Sequence, residues 1–170
     1  SNDIVIENTF IPEHRILDLM DLRGGPTPGS EINSGYLYRL PQRATFSFNL
    51  IGNAIWAAQG AINSVVSELK TRVTVGGVNL TELSSIQFRV AVAESEVAAA
   101  YALMDRNRSE IVMDGKSDRI PSMQDRARYR RDNGYAAKLC TQAVDRIYPI
   151  TGGRGIAVNN AVNRAWRDVH

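Results

Sequence analysis

Apolar positions along the chain follow two different rhythms. From Asp3 to Ile11 (DIVIENTFI), Ile4, Ile6 and Phe10 alternate with the polar Asp3 and Glu7, and Pro12 stops the run. A period of two predicts a half-buried strand, and proline ends it by removing a ladder donor. Arg23 to Gly35 (RGGPTPGSEINSG) is rich in glycine, proline and serine and predicts a connection. From Leu40 onward the period lengthens to between three and four, which predicts helices that each bury one stripe.

Three long helical stripes and one short one follow. Ile51, Ile55, Ala58, Ile62, Val65 and Leu69 form the first, ended by Gly76-Gly77. Ile86, Val90, Ala93, Val97, Ala100 and Met104 form the second, with Thr81 the expected N-cap and Gly115 the expected end. The third opens at Pro121-Ser122, places Asp125 in its first turn, and carries Ala136, Leu139, Cys140, Ala143 and Ile147 before Pro149 and Gly152-Gly153. Val158, Val162, Ala165 and Val169 make the fourth. The predicted fold is all-α, an antiparallel four-helix bundle preceded by one β-strand that has no partner in the chain.

Composition narrows the chemistry. One cysteine, Cys140, and two histidines, His14 and His170, cannot build an internal disulfide or a His/Cys zinc cluster. No run approaches the roughly 18 uninterrupted apolar residues of a membrane span, so a cytoplasmic protein is expected. A formal charge of +2 over 170 residues argues against a nucleic-acid binder, which needs a strongly basic face.

Local clusters carry the remaining signal. Ile150-Thr151-Gly152-Gly153-Arg154-Gly155-Ile156 lies between the third and fourth helices. Its glycines let backbone amides approach a ligand and Arg154 offers a fork that matches phosphate, although a glycine turn that merely reverses the chain has the same composition. Arg72 precedes a second glycine turn at the end of the first helix, where the helix dipole alone accounts for a cation. Arg126, Arg128, Arg130 and Arg131, flanked by Asp125 and Asp132, predict a solvated, ion-paired helix face. Trp166-Arg167-Asp168-Val169-His170 ends the chain, and a histidine suits proton transfer near neutrality. No serine or cysteine pairs with it by spacing, so a hydrolase triad has no support.

The order of DIVIENTFIPEHRI, GYLYRLP, two alanine-rich helices, RARYRRDNGYAAKLCTQAVDRIY, TGGRG and NRAWRDVH resembles the C-terminal part of the acyl-CoA dehydrogenase superfamily. More narrowly, it resembles the flavin-dependent two-component monooxygenases, such as those that hydroxylate 4-hydroxyphenylacetate or steroid-derived phenols. The resemblance implies that residues 1–38 are the last strand of a β-domain with its linker, that 39–170 are the C-terminal helical domain, and that the chain is a piece of a longer enzyme. It implies dimers or tetramers, a reduced flavin (FMN or FAD) supplied by a separate reductase, and a small aromatic substrate. It places Arg72, Gly152, Gly153 and Arg154 at the cofactor and makes His170 the candidate catalytic residue. Pro149 stands where the dehydrogenases often have glutamine, and no glutamate lies between the glycine turn and His170. Removal of an α-proton from a thioester needs a carboxylate, so dehydrogenation is the weaker expectation. A helical oligomerisation module without chemistry is the alternative of a different class.

Overall fold

A computed structural model describes residues 3–170. Residues 3–41 contribute only short elements: 3₁₀ turns at Glu13–Arg15, Asp21–Arg23 and Tyr36–Arg39, and the five-residue helix α1, Pro28–Ile32. Three long helices follow: α2 (Gln42–Leu69), α3 (Ser84–Lys116) and α4 (Met123–Ile147). The short α5, Ala161–Val169, closes the chain. α2, α3 and α4 pack against one another, and α5 lies against α2 and α4.

The expected stripes are the core. All six residues of the α2 stripe and all five of the α4 stripe are buried in a single cluster. Ala93, Val97 and Ala100 of α3 join it, with Ile86, Val90 and Met104 packed at its edge. Burying these side chains drives the assembly at about 25 cal/mol per Å² of apolar surface. The alanines of α3 and α4 let the helix backbones approach closely.

The helix starts depart from expectation in two places. Thr81 does not cap α3, which begins only at Ser84 with Leu83 at its N-cap position and no side-chain cap. Asn79 caps the preceding 3₁₀ turn, Leu80–Glu82, its side chain accepting from the Thr81 amide at 2.9 Å and the Thr81 hydroxyl at 2.7 Å. Val158 falls outside the last helix and is exposed, because Asn160 accepts from the amides of Val162 and Asn163 and starts α5 there. At α4 the expected start is observed, with Ser122 and Asp125 forming a reciprocal capping box.

Asp3–Ile11 forms no strand in this structure. Among the described residues the one β-type pairing is the bridge between Val73 and Asn79, so the alternating segment has no neighbour to complete a ladder, and Ile4, Val5, Ile6 and Phe10 stand in solvent. No helix of the described residues is long and apolar enough to cross a membrane.

Candidate glycine-turn site

The site is built where α2 and α4 end. Past Leu69 the chain turns, and the bridge between Val73 and Asn79 closes a small loop whose return strand donates from the Leu80 amide to the Arg72 carbonyl at 3.0 Å. The loop closure holds the Arg72 backbone in place three residues past Leu69, outside α2 and not at its last turn. Its side chain then crosses to the other connection: Nη1 donates to the Ile150 carbonyl at 2.8 Å, over a separation of 78 residues.

Residues Tyr148–Ile156 wind as 3₁₀ turns broken at Gly152, which adopts φ 61° and ψ −149°. That region is open almost only to glycine. A Cβ built on Gly152 would lie 3.6 Å from Arg72 Nη2, so the guanidinium lies close against the break. Gly153 has open space on its Cβ side, and Arg154 is exposed with no ion pair among the described residues.

A neutral clamp fixes the turn from below. The Tyr148 hydroxyl donates to the Gly155 carbonyl at 2.9 Å, and Asn163 Nδ2 donates to that carbonyl at 2.8 Å and to the Tyr148 hydroxyl at 3.1 Å. The Thr151 hydroxyl, fully buried, donates to the Tyr148 carbonyl at 2.6 Å. Gly155 is pressed against Thr151 so closely that a Cβ there would sit 2.0 Å from Thr151 Oγ1. Tyr148, Thr151 and Asn163 lie inside the quoted motifs, but their clamp was not legible in the sequence, because nothing in it shows that their polar groups meet until the fold brings them together. The only sequence signal was the second glycine of GRG.

Arg72 therefore lies against the Gly152 turn, on which Gly153 and Arg154 follow. His170 is not brought into contact with them. It caps an aromatic stack, with ring centroids 5.9 Å from Tyr148 to Trp166 and 4.3 Å from Trp166 to His170. Its Nδ1 lies 2.8 Å from the Trp166 carbonyl, while Nε2 lies 3.5 Å from Asp145, whose carboxylate accepts from Trp166 Nε1 at 2.8 Å.

The arginine-rich start of α4 behaves largely as the expected ion-paired face. Arg128 forks onto Glu110 and reaches Asp125. Arg106 and Arg131 both pair with Asp132, which also accepts from Asn107 and is only 4% exposed. Burial pushes the Asp132 carboxyl up, but the hydrogen bonds from Arg131 and Asn107 and the charges of Arg131 and Arg106 outweigh it and hold it below its usual range. The Ser122 hydroxyl and amide bring Asp125 down to about 2.

Comparison with known proteins agrees with this architecture. The family profile described as acyl-CoA dehydrogenase, C-terminal domain, matches residues 45–170. The oxygenase component of FADH(2)-dependent resorcinol hydroxylase from Rhizobium sp. is 31% identical over the whole chain and 44% of its own length. The oxygenase component of p-hydroxyphenylacetate 3-hydroxylase from Acinetobacter baumannii is 27% identical, over 41% of its length. The crystal structure of 3-HSA hydroxylase from Rhodococcus sp. RHA1 superposes with a TM-score of 0.86 at 23% identity, covering 98% of this chain and 43% of that one. XiaF from Streptomyces, solved in complex with FADH2 and glycerol, gives 0.82 at 22% identity, covering 97% of this chain and 42% of its own. The chain belongs to the acyl-CoA dehydrogenase C-terminal domain family. It spans less than half the length of the relatives it matches.

Proposed function

We propose that the full-length protein is a cytoplasmic oxygenase component that takes reduced flavin from a separate reductase and hydroxylates a small phenolic substrate. The chain supplies its flavin-binding and oligomerising helical part. Residues 1–38 are then a β-domain strand and linker, waiting for neighbours that lie outside this chain, and α2 to α5 are the four helices of an antiparallel bundle in residues 39–170. The observation that carries the reading is the junction of Arg72 with the Gly152 turn, beside an Arg154 that no carboxylate among the described residues pairs with.

The donor set fits an anionic part of a flavin. Arg72 and Arg154 bring two guanidiniums, and the turn at Gly152-Gly153 presents backbone without side chains in front of it. These four residues would hold the cofactor. FAD is the first choice, since the resorcinol hydroxylase is FADH(2)-dependent and XiaF was solved with FADH2, and FMN is the second. When bound, reduced flavin supplies the two electrons that activate oxygen. Tyr148, Thr151 and Asn163 keep the turn rigid, so no binding energy is lost to ordering it.

His170 is the proposed proton acceptor. With Nδ1 donating to the Trp166 carbonyl, Nε2 is the ring nitrogen left to take a proton. A phenol that loses its proton there becomes a more electron-rich ring. The missing glutamate in residues 151–170 supports hydroxylation over dehydrogenation. Apolar side chains left in solvent support a dimer or tetramer: Phe46 and Leu50 one turn apart on α2, and Trp56 edge-on to Tyr101 of α3.

The test is flavin binding by the full-length protein. Arg154→Ala is expected to weaken reduced-flavin binding several-fold without loss of helix content, and unchanged affinity would remove the turn from the cofactor site.

A further inference from the structure

The geometry points to a second anion site, at the opposite end of the helices, that takes a small organic molecule with a carboxylate or phosphate head on an apolar body. A cleft of about 770 Å³ opens there between the starts of α2 and α4. Arg23, Arg43, Arg126 and Arg130 line it around Ile120 and Met123, and none of its lining residues is acidic. The volume is that of a small-molecule site.

Two features set the cleft apart from an ordinary basic helix face. The first is how the arginines divide. Arg128 and Arg131, on the same helix, are neutralised by Glu110, Asp125 and Asp132. Arg43 and Arg130 have no acidic partner among the described residues, and both also wall the adjoining hollow beside Phe46. Arg126 is fixed at the rim, its Nε donating to the Pro121 carbonyl at 2.9 Å and its Nη2 to the Arg23 carbonyl at 3.0 Å, so its charge is held without being neutralised.

The second feature is the start of α2 itself. Pro41 occupies the N-cap position and offers no side-chain acceptor. Its carbonyl takes the amides of Ala44 and Thr45, while those of Gln42 and Arg43 have no capping side chain. The start of α4, by contrast, is closed by the Ser122 and Asp125 capping box. An oxyanion between Arg43 and Arg130 would meet free helix-terminal amides and two unneutralised forks together, each of which favours it. The apolar lining then calls for a body behind the charged head.

This site is separate from the glycine turn. α2 is 28 residues long, so its two ends lie about 42 Å apart at 1.5 Å per residue. The proposal does not depend on the flavin reading, and its test contains no flavin.

The test is calorimetric titration of the full-length protein with hexyl phosphate, hexanoate, inorganic phosphate and hexanol. One hexyl anion per chain is expected to bind, with the tighter of the two heads showing whether phosphate or carboxylate is the natural group. The double variant Arg43→Gln, Arg130→Gln should weaken that binding about tenfold or more, since it removes two charge-assisted contacts. The corresponding lysine pair should fall between, and Arg72→Ala should leave the affinity unchanged. Arg43 and Arg130 are exposed, so these variants should keep their thermal midpoint. Hexanol binding as tightly as the anions, inorganic phosphate binding as tightly as hexyl phosphate, no binding by any probe, or unchanged binding in the glutamine double variant would each overturn the proposal.

Discussion

The two ends of α4 solve the same problem in opposite ways. Along its first half, polar groups are satisfied by charge: Arg128 on Glu110, and Arg106 and Arg131 on a buried Asp132. Beyond its last turn they are satisfied by neutral groups, with one tyrosine hydroxyl and one asparagine amide sharing the Gly155 carbonyl. A paired charge has no attraction left for a ligand. A neutral clamp holds the backbone just as firmly and leaves Arg154 beside it unneutralised. The difference teaches that an arginine is assigned to structure or to binding by the carboxylates the fold brings to it, and not by its neighbours in sequence.

The comparison breaks most severely at Gly155. Replacing it with alanine puts a methyl 2.0 Å from Thr151 Oγ1 and 3.0 Å from Thr151 Cβ, in a place where Thr151 is buried and bonded. The expected loss is about 3 kcal/mol, the upper range for overpacking, read as a lowered urea midpoint. The turn would move with it, so flavin binding should fall as well.

The charged end is the next to yield. Asp132→Ala leaves Arg106, Arg131 and Asn107 facing a vacated acceptor, and a loss of about 2 kcal/mol is expected because the exposed guanidiniums can turn to water. This contribution has a pH signature. The Asp132 carboxyl titrates below its unfolded value, so its stabilisation is fully present above the ordinary carboxylate range near 4 and is lost as pH falls through the lowered value. Unfolding midpoints of the native chain and the variant should therefore converge in acid. A gap that stays constant from pH 7 to pH 3 would show that the carboxylate charge is not what stabilises the α3 to α4 seam.

Asn163→Ala sharpens the comparison at the smallest cost. It removes two neutral hydrogen bonds but leaves the Tyr148 hydroxyl on Gly155, for an expected loss of about 1 kcal/mol. Its effect on reduced-flavin affinity should be larger, relative to that loss, than the effect of Asp132→Ala. Equal ratios in the two variants would mean that the clamp supports the fold in general and not the turn in particular.

Much of this was legible beforehand. The spacing of Ile51 to Leu69 and of Ala136 to Ile147 predicted which residues of α2 and α4 are buried, because a helix has one period and one buried face. The resemblance assigned Arg72 and the glycine turn each to a cofactor without placing one against the other, and the structure joins them through the Ile150 carbonyl. The alternation at Asp3–Ile11 marks a face but cannot supply the neighbouring strand, so the segment forms no ladder here and its apolar side chains stand in solvent. Thr81 does not cap α3, because the chain first winds a 3₁₀ turn at Leu80–Glu82, capped by Asn79, and α3 starts beyond it without a side-chain cap.

The sequence by itself determined the helices, their buried stripes and the places where glycine must break them, all of which depend on residues within a few turns of one another. Only the tertiary structure decided which arginines are neutralised. Arg128 and Arg130 are two residues apart on one helix, yet one is locked to Glu110 across the α3 seam and the other opens onto a cleft. A helix turns by about 100° per residue, so side chains two positions apart face different neighbours. Those neighbours come from distant parts of the chain, and packing alone chooses them.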